Sequence, residues 1–339
     1  MDHSLTFSQS KLTTFLTCRR RFYLRYRARL PWPEPPLPAE QEEALSLGHQ
    51  FHQLLERYFL GLPVEEALGG NGRLRHWWSQ FQSHPPVLPP GRRLPEVGLT
   101  VPLVSVNSDR SSDLSEQWPL LVGRFDLVIL GETEAGQPAV HIYDWKTGRP
   151  QPLAELRQSW QTRLYLALAA EGGGALFSDQ YSVFGERKAA SREKTAGESG
   201  RLIPEAVRLT YWYVNEPDQP RTIAYSQTAH EQNWAEVTAV AAQIMAAMAA
   251  SAATEAGTET AVSPQQPSDL PDTLWPKTED WSRCAYCAYQ AYCGRQGAVA
   301  PSGAPDGATF VGRKEEIMLP DESEHDNNLY ANDYPQMEA

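Results

Sequence analysis

Apolar positions recur at helical spacing through the first eighty or so residues, and from about residue 96 they alternate as strands do. In EQEEALSLGHQFHQLLERYFLG (40–61), Ala44, Leu47, Phe51, Leu54, Leu55, Tyr58 and Phe59 line one side of a helix. Ser8 reads as the N-cap of a helix through QSKLTTFLTC, with Leu12, Phe15 and Leu16 on one side, and a short helix covers 72–82. After a run of prolines, EVGLTVPLVSV, LLVGRFDLVIL and AVHIYDWKT read as three successive strands. LAELRQSWQTRLYLALAAE reads as one long helix, QYSVFGE and AVRLTYWYV as further strands, and TIAYS as one more. A second long helix follows in AHEQNWAEVTAVAAQIMAAMAA. The pattern predicts an α/β fold, a mixed central β-sheet flanked by helices, with an N-terminal helical region.

Composition narrows this picture. The chain has 339 residues, 41% of them hydrophobic and ten of them tryptophan, enough for one large domain or two smaller ones with a substantial core. No run approaches eighteen uninterrupted apolar residues, so no membrane span is expected. MDHSLTFSQSKLTTF lacks a basic flank, an apolar run and a cleavage site, which points to a cytoplasmic protein. The net charge of -12 argues against indiscriminate coating of nucleic acid. The charge is uneven, however: residues 1–30 carry seven Lys/Arg against Asp2 alone, and residues 315–339 carry eight acids with no Lys or Arg. A linker rich in Ser, Ala, Thr, Gln and Pro spans about 251–272, and 297–339 reads as a disordered acidic tail.

The candidate chemistry begins at HIYDWKTGRP (141–150). Alternate strand residues share a face, so Ile142, Asp144 and Lys146 lie together and leave an acid beside an amine. Burying such a pair is costly for stability alone. In the preceding strand Asp126 sits among apolar residues, on a face shared with Val122, Arg124 and Val128. Two carboxylates converging across adjacent strands make a hard-oxygen site suited to Mg²⁺ or Mn²⁺, and a lysine beside them can position a water. Gly48 lies four residues before His52 and reads as a point where another backbone comes close; His52 and Glu56 share a helix face, and His49 is an alternative ligand. Gln161 and Tyr165, also four apart, can hold DNA or a catalytic carboxylate.

Cys284, Cys287 and Cys293 form a C-x2-C-x5-C array, and Cys18 is the only other cysteine. Four thiolates suit either tetrahedral Zn²⁺ or an iron–sulfur cluster. Arg19, Arg20, Arg21, Arg25 and Arg27, interleaved with Tyr23 and Tyr26, suit a single-strand path of phosphate contacts and base stacking.

In chain order, G-x-x-x-H (Gly48, His52), G-R-F-D (Asp126), D-W-K-T-G (Asp144, Lys146) and Q-x-x-x-Y (Gln161, Tyr165) resemble the RecB-like branch of the PD-(D/E)XK nuclease superfamily. The resemblance implies a restriction-endonuclease-like core. It implies His52, Asp126, Asp144 and the backbone carbonyl of Trp145 as metal ligands, Lys146 as the catalytic lysine, and Glu96 near the place of an additional family acid. No proline precedes Asp126, and the later acid is Asp rather than Glu. One cysteine before the core and three after it resemble the iron–sulfur-stapled members, which include the CRISPR-associated adaptation nucleases and the AddB nuclease domain. The resemblance places a 4Fe–4S cluster ahead of zinc on Cys18, Cys284, Cys287 and Cys293.

These readings give a nuclease domain over 1–295, with its core at about 44–250 and its cysteine cluster at 284–293. The expected activity is metal-dependent hydrolysis of DNA by an exonuclease or end-trimming enzyme in repair or recombination, acting on single strands or ends. Tyr165 and Arg19, Arg20, Arg21 and Arg25 are the expected DNA contacts, and a helicase or integrase is the expected kind of partner. A CRISPR adaptation nuclease is one alternative; a non-catalytic iron–sulfur module that positions a partner is another. A zinc-stabilised RNA-binding protein ranks last.

Overall fold

The structure is a computed structural model that describes residues 6–31, 39–103, 119–178, 200–256, 273–285 and 287–298. The strand expected in QYSVFGE, most of the expected linker and nearly all of the expected acidic tail lie outside these residues. A two-residue strand β1 (Thr6–Phe7) leads into α1 (Gln9–Thr17), α2 (Arg19–Phe22) and a π-helical turn at Tyr23–Arg27. Next come α3 (Ala39–Phe59), α4 (Glu65–Leu68) and α5 (Gly72–Ser83), then the strands β2 (Arg92–Pro102), β3 (Leu120–Glu132) and β4 (Pro138–Lys146). Helices α6 (Leu153–Gln158) and α7 (Trp160–Gly172), strands β5 (Val207–Tyr213) and β6 (Arg221–Ala224), and helices α8 (Gln227–Ala256) and α9 (Gln290–Cys293) complete it.

The six strands form one mixed sheet, ordered β1-β3-β4-β5-β6, with β2 on the other edge of β3. β2 and β4 run antiparallel to β3, while β4 and β5 are parallel, joined by a crossover through α6 and α7. Apolar residues of α1, α2, α7 and α8 cover one face of the sheet. On the other face, α3 and α5 bury Phe51, Leu55, Trp77 and Phe81 against Leu127, Ile129, Tyr143, Trp145 and Trp212. The strands that carry Asp126, Asp144 and Lys146 are therefore held between two separate cores, while His52 lies on α3 and Gln161 and Tyr165 on α7.

Three local expectations change. Ser8 does cap α1, accepting a bond from the Lys11 amide, but Leu16 points outward at 48% exposure. The helix expected over 153–171 is two helices. Ser159 takes an extended conformation between them, and its hydroxyl accepts from the Thr162 amide to start α7. Helix α8 runs to Ala256, into the segment expected as linker. Its residues Gln227–Ala253 are long and apolar enough, by length and composition, to cross a membrane, which a search for uninterrupted apolar runs misses. Its inner face, with Trp234, Val237, Val240 and Ile244, packs into the core beside α7.

Candidate metal and nucleic-acid site

The site opens where two strands part. β3 and β4 pair from Glu132↔Pro138 to Leu127↔Tyr143 and no further. Asp144, Trp145 and Lys146 instead continue alongside Tyr211, Trp212 and Tyr213 of β5. The amide of Trp145, leaving β3, donates to Asp126 Oδ2 at 2.8 Å, so a side chain takes over where the ladder stops. Asp126 and Asp144 thus stand on the two walls of a fork.

A kink on the other edge of β3 shapes the same place. Glu96 lies between Pro95↔Leu127 and Val97↔Phe125 and has φ of 50°, the left-handed region that a glutamate rarely occupies. The in-and-out alternation slips by one here in both strands: Leu94 and Val97 enter the same core, and so do Phe125 and Val128. Asp126 therefore does not share a face with Val128, as simple alternation predicts. A strained residue of this kind costs about 1–3 kcal/mol and tends to mark functional sites.

The kink brings Glu96 to His52 and Asp126, so that one ligand atom from each lies within 4.8 Å of the other two. His52 Nδ1 is 3.3 Å from Asp126 Oδ1, and Arg124 Nε donates to Glu96 Oε2 at 2.6 Å. Burial works against the charged imidazole, but Asp126 beside it outweighs that and holds the His52 pKa up at about 9. Burial likewise opposes the charge on Asp126, yet His52 and the Trp145 amide keep that carboxyl below its usual range. Glu96 is pushed up to about 7, by burial first and by the charge of Asp126 second.

Asp144 belongs to a second group. Its Oδ2 is 3.0 Å from Lys146 Nζ, and its Oδ1 accepts from Gln161 Nε2 at 3.0 Å. The same amide closes the triangle, since Lys146 Nζ donates to Gln161 Oε1 at 3.0 Å. Tyr211, fully buried, lies under the lysine with its ring centroid 5.5 Å from Nζ and its hydroxyl 2.8 Å from Thr162 Oγ1. Tyr165 meets Phe125 edge-on at 5.0 Å and bonds to Gln161; burial above all raises its phenol well beyond the ordinary value. The resemblance puts Asp144 in the ligand set. Here its side chain turns to Lys146 and Gln161, while Glu96 completes the trio with His52 and Asp126.

Other expected residues are placed as follows. His49 faces outward and bonds to Gln53, away from the trio. Gly48 meets not another backbone but the Thr147 hydroxyl, to which a Cβ would lie at 3.1 Å. Arg20 is buried, with its Nε bonded to the Trp275 carbonyl; it is turned inward, away from any phosphate path. Arg19 bonds to Gln243 and covers Phe15, and Arg25 lies over Tyr26. Tyr23 and Tyr26, expected to stack on bases, are partly buried where they pack against the core.

All four cysteines line one cavity together with Arg21, Lys277, Arg283, Tyr289 and Arg295, and none forms a disulfide. Burial pushes the Cys293 thiol up to about 11 and raises that of Cys287. Cys18 also caps α2, its sulfur accepting from the Arg21 amide at 3.5 Å. Beside the cavity, Trp275 is fully buried, stacked on Phe22 at 6.0 Å and donating to Ser251 Oγ at 2.7 Å. Tyr289 donates to the Leu30 carbonyl. Trp275, which fastens the C-terminal segment to α1 and α2, was not singled out by any motif.

A strand fork gathers an imidazole, two carboxylates that could hold a metal ion with it, and a further carboxylate paired with a lysine. A family profile for the PD-(D/E)XK nuclease superfamily matches residues 6–294, and the chain belongs to that superfamily. A search of curated proteins returned no match.

Proposed function

We propose that the protein is a Mg²⁺- or Mn²⁺-dependent deoxyribonuclease of the RecB-like branch, trimming single-stranded or frayed DNA ends in repair or recombination. The observation that carries this reading is the fork itself. It sets the trio of His52, Glu96 and Asp126 beside the triangle of Asp144, Lys146 and Gln161. Two carboxylates and one imidazole fit a hard divalent cation. Asp144 and the Trp145 carbonyl, on the opposite wall, complete the shell in this reading. Bound there, the ion supplies Lewis-acid polarisation of the scissile phosphate and neutralises developing charge. Lys146, fixed by Gln161 and Asp144, orients the attacking water. Water adds to phosphorus as the bond to the 3′ oxygen breaks, leaving a 5′ phosphate and a 3′ hydroxyl. Tyr165 and the N-terminal arginines other than Arg20 guide the strand. The geometry around Lys146 favours this reading over a positioning module that does not cut.

The four thiols are read as the ligands of a 4Fe–4S cluster that ties α1 and α2 to the C-terminal segment. A soft donor set gathered in one cavity fits it. A single zinc ion, with Zn–S of about 2.3 Å, draws its sulfurs to within about 4 Å of one another. Among the described residues, no three cysteine sulfurs close to within 4.8 Å.

The test uses protein purified without oxygen and end-labelled single- and double-stranded DNA, with Mg²⁺ or Mn²⁺ and with chelator. Metal-dependent degradation is expected, with Lys146→Ala slower by about 10²–10⁴-fold. Binding without cleavage under both metals returns the protein to the positioning-module reading. Stoichiometric zinc without iron or labile sulfide replaces the cluster by zinc. A helicase or integrase partner is sought by co-purification once cleavage polarity is known.

A further inference from the structure

We propose that Trp281, packed under Arg295 of the cysteine cavity, is a base-stacking platform for single-stranded DNA. The proposal rests on the nuclease reading above, which supplies the DNA.

Two aromatic side chains beside the cavity face solvent: Trp281 at 55% exposure and Tyr292 at 46%. Most of the other tryptophans described are buried in the two cores, so an indole left outside is anomalous. The ring is held in place. Arg295 lies over it, 4.8 Å from the centroid, and the same guanidinium donates to the Thr278 carbonyl and contacts Cys284 Sγ at 3.3 Å. One face of the indole is therefore backed by a cation that the cysteine cavity positions. Asp280 fixes the turn from the other end, capping Trp281–Cys284 through the Ser282 amide at 3.0 Å.

Charge identifies the occupant. The chain as a whole carries -12, but the described segments that meet here, 6–31, 273–285 and 287–298, hold ten Lys/Arg, all but the buried Arg20 at least partly exposed, against two acids, Glu279 and Asp280. An exposed indole in a basic surface on an acidic protein matches a polyanion whose units also offer flat rings. Single-stranded DNA is such a ligand: phosphates track the cations while bases stack without regard to sequence. Arg21, lining the cavity near Cys287 and Tyr289, extends the basic surface toward the N-terminal helices. Tyr23 and Tyr26, to which the sequence assigns a stacking role, are partly buried against the core, whereas Trp281 is the more open ring.

The experiment compares full-length cluster-loaded wild type, Trp281→Ala and Trp281→Phe. Each is titrated in chelator with a fluorescein-labelled oligo(dT) and with an abasic strand of equal length. The expected result is about tenfold or greater loss of oligo(dT) affinity in Trp281→Ala, recovery of most of it in Trp281→Phe, and equal binding of the abasic strand by all three. Iron content and melting temperature check that the segment stays folded. Equal oligo(dT) binding by wild type and Trp281→Ala overturns the platform and leaves the nuclease reading standing. Equal losses on both strands also overturn it, since the residue then acts through the fold. A change in the sedimentation of free protein, with DNA binding unmoved, reassigns the ring to a contact between copies and overturns it too. Failure of the wild type to bind or cut DNA at all removes the underlying nuclease reading instead.

Discussion

The fork and the cysteine cavity hold reactive groups in opposite ways. At the fork, charges lie inside, each checked by a neighbour on its own or a paired strand, or on a helix packed against it: Asp126 by the Trp145 amide and by His52 of α3, Asp144 by Lys146 and by Gln161 of α7. At the cavity the thiols come from positions 18 and 284–293, and the cations stand around them rather than among them. The first arrangement is made by strand register and the two helices seated on the sheet, the second by docking of segments far apart in the chain. Chemistry that depends on tenths of an ångström belongs to the sheet, whereas the cavity closes a loop of over 260 residues.

The largest expected effect tests whether the docking depends on the thiols or on the buried indole. Trp275→Ala removes a fully buried side chain stacked on Phe22, at a cost of about 3–5 kcal/mol. A fall in melting temperature of roughly 10 °C is expected, whether or not iron is bound. Cys18→Ser should also lower stability and DNA binding, but only relative to cluster-loaded protein. If the two variants lose equally in iron-free protein, the aromatic clamp is not independent of the cavity.

The fork should show its charges through pH. His52 in the folded metal-free protein keeps its proton up to about pH 9, against an ordinary value of 6.5. A raised histidine stabilises fully below its unfolded value and loses that contribution as pH climbs through the folded one. Metal-free protein should therefore lose stability between about pH 6.5 and 9, and His52→Ala should flatten the curve. With Mn²⁺ the dependence reverses, because the ion must displace that proton and binds more tightly as pH rises. A curve unchanged by His52→Ala would separate the imidazole from Asp126.

Sequence and structure agree best where the determinants are local. The alternation of β4 and the spacing of Asp144 and Lys146 are properties of a few consecutive residues, and β3 and β4 stand where the sequence predicts strands. The kink at Glu96 is different. Alternation of period two carries no mark of a slip that occurs in two paired strands at once, so Glu96 was legible only through a resemblance. The break at Ser159 was written in a capping residue, but the apolar run on either side of it masked the signal. Trp275 and Trp281 differ only in burial, which depends on helices some 250 residues earlier in the chain.

The smallest expected effect probes how α3 is seated on the fork. Replacing Gly48 with alanine gains about 1 kcal/mol of helix propensity, so the fold should be as stable or slightly more so. The new Cβ, however, would lie 3.1 Å from the Thr147 hydroxyl, directly after Lys146. Relief requires a shift of a few tenths of an ångström between the helix carrying His52 and the strand end carrying the lysine. Gly48→Ala should therefore lower the cleavage rate a few-fold with no loss in melting temperature. Thr147→Ala, which removes the hydroxyl, should restore the rate in the double variant, giving a coupling that neither single change explains. Additive rates would mean that the glycine serves the helix alone and that the seat of His52 is set elsewhere, by Phe51 and Leu55 packing beneath it.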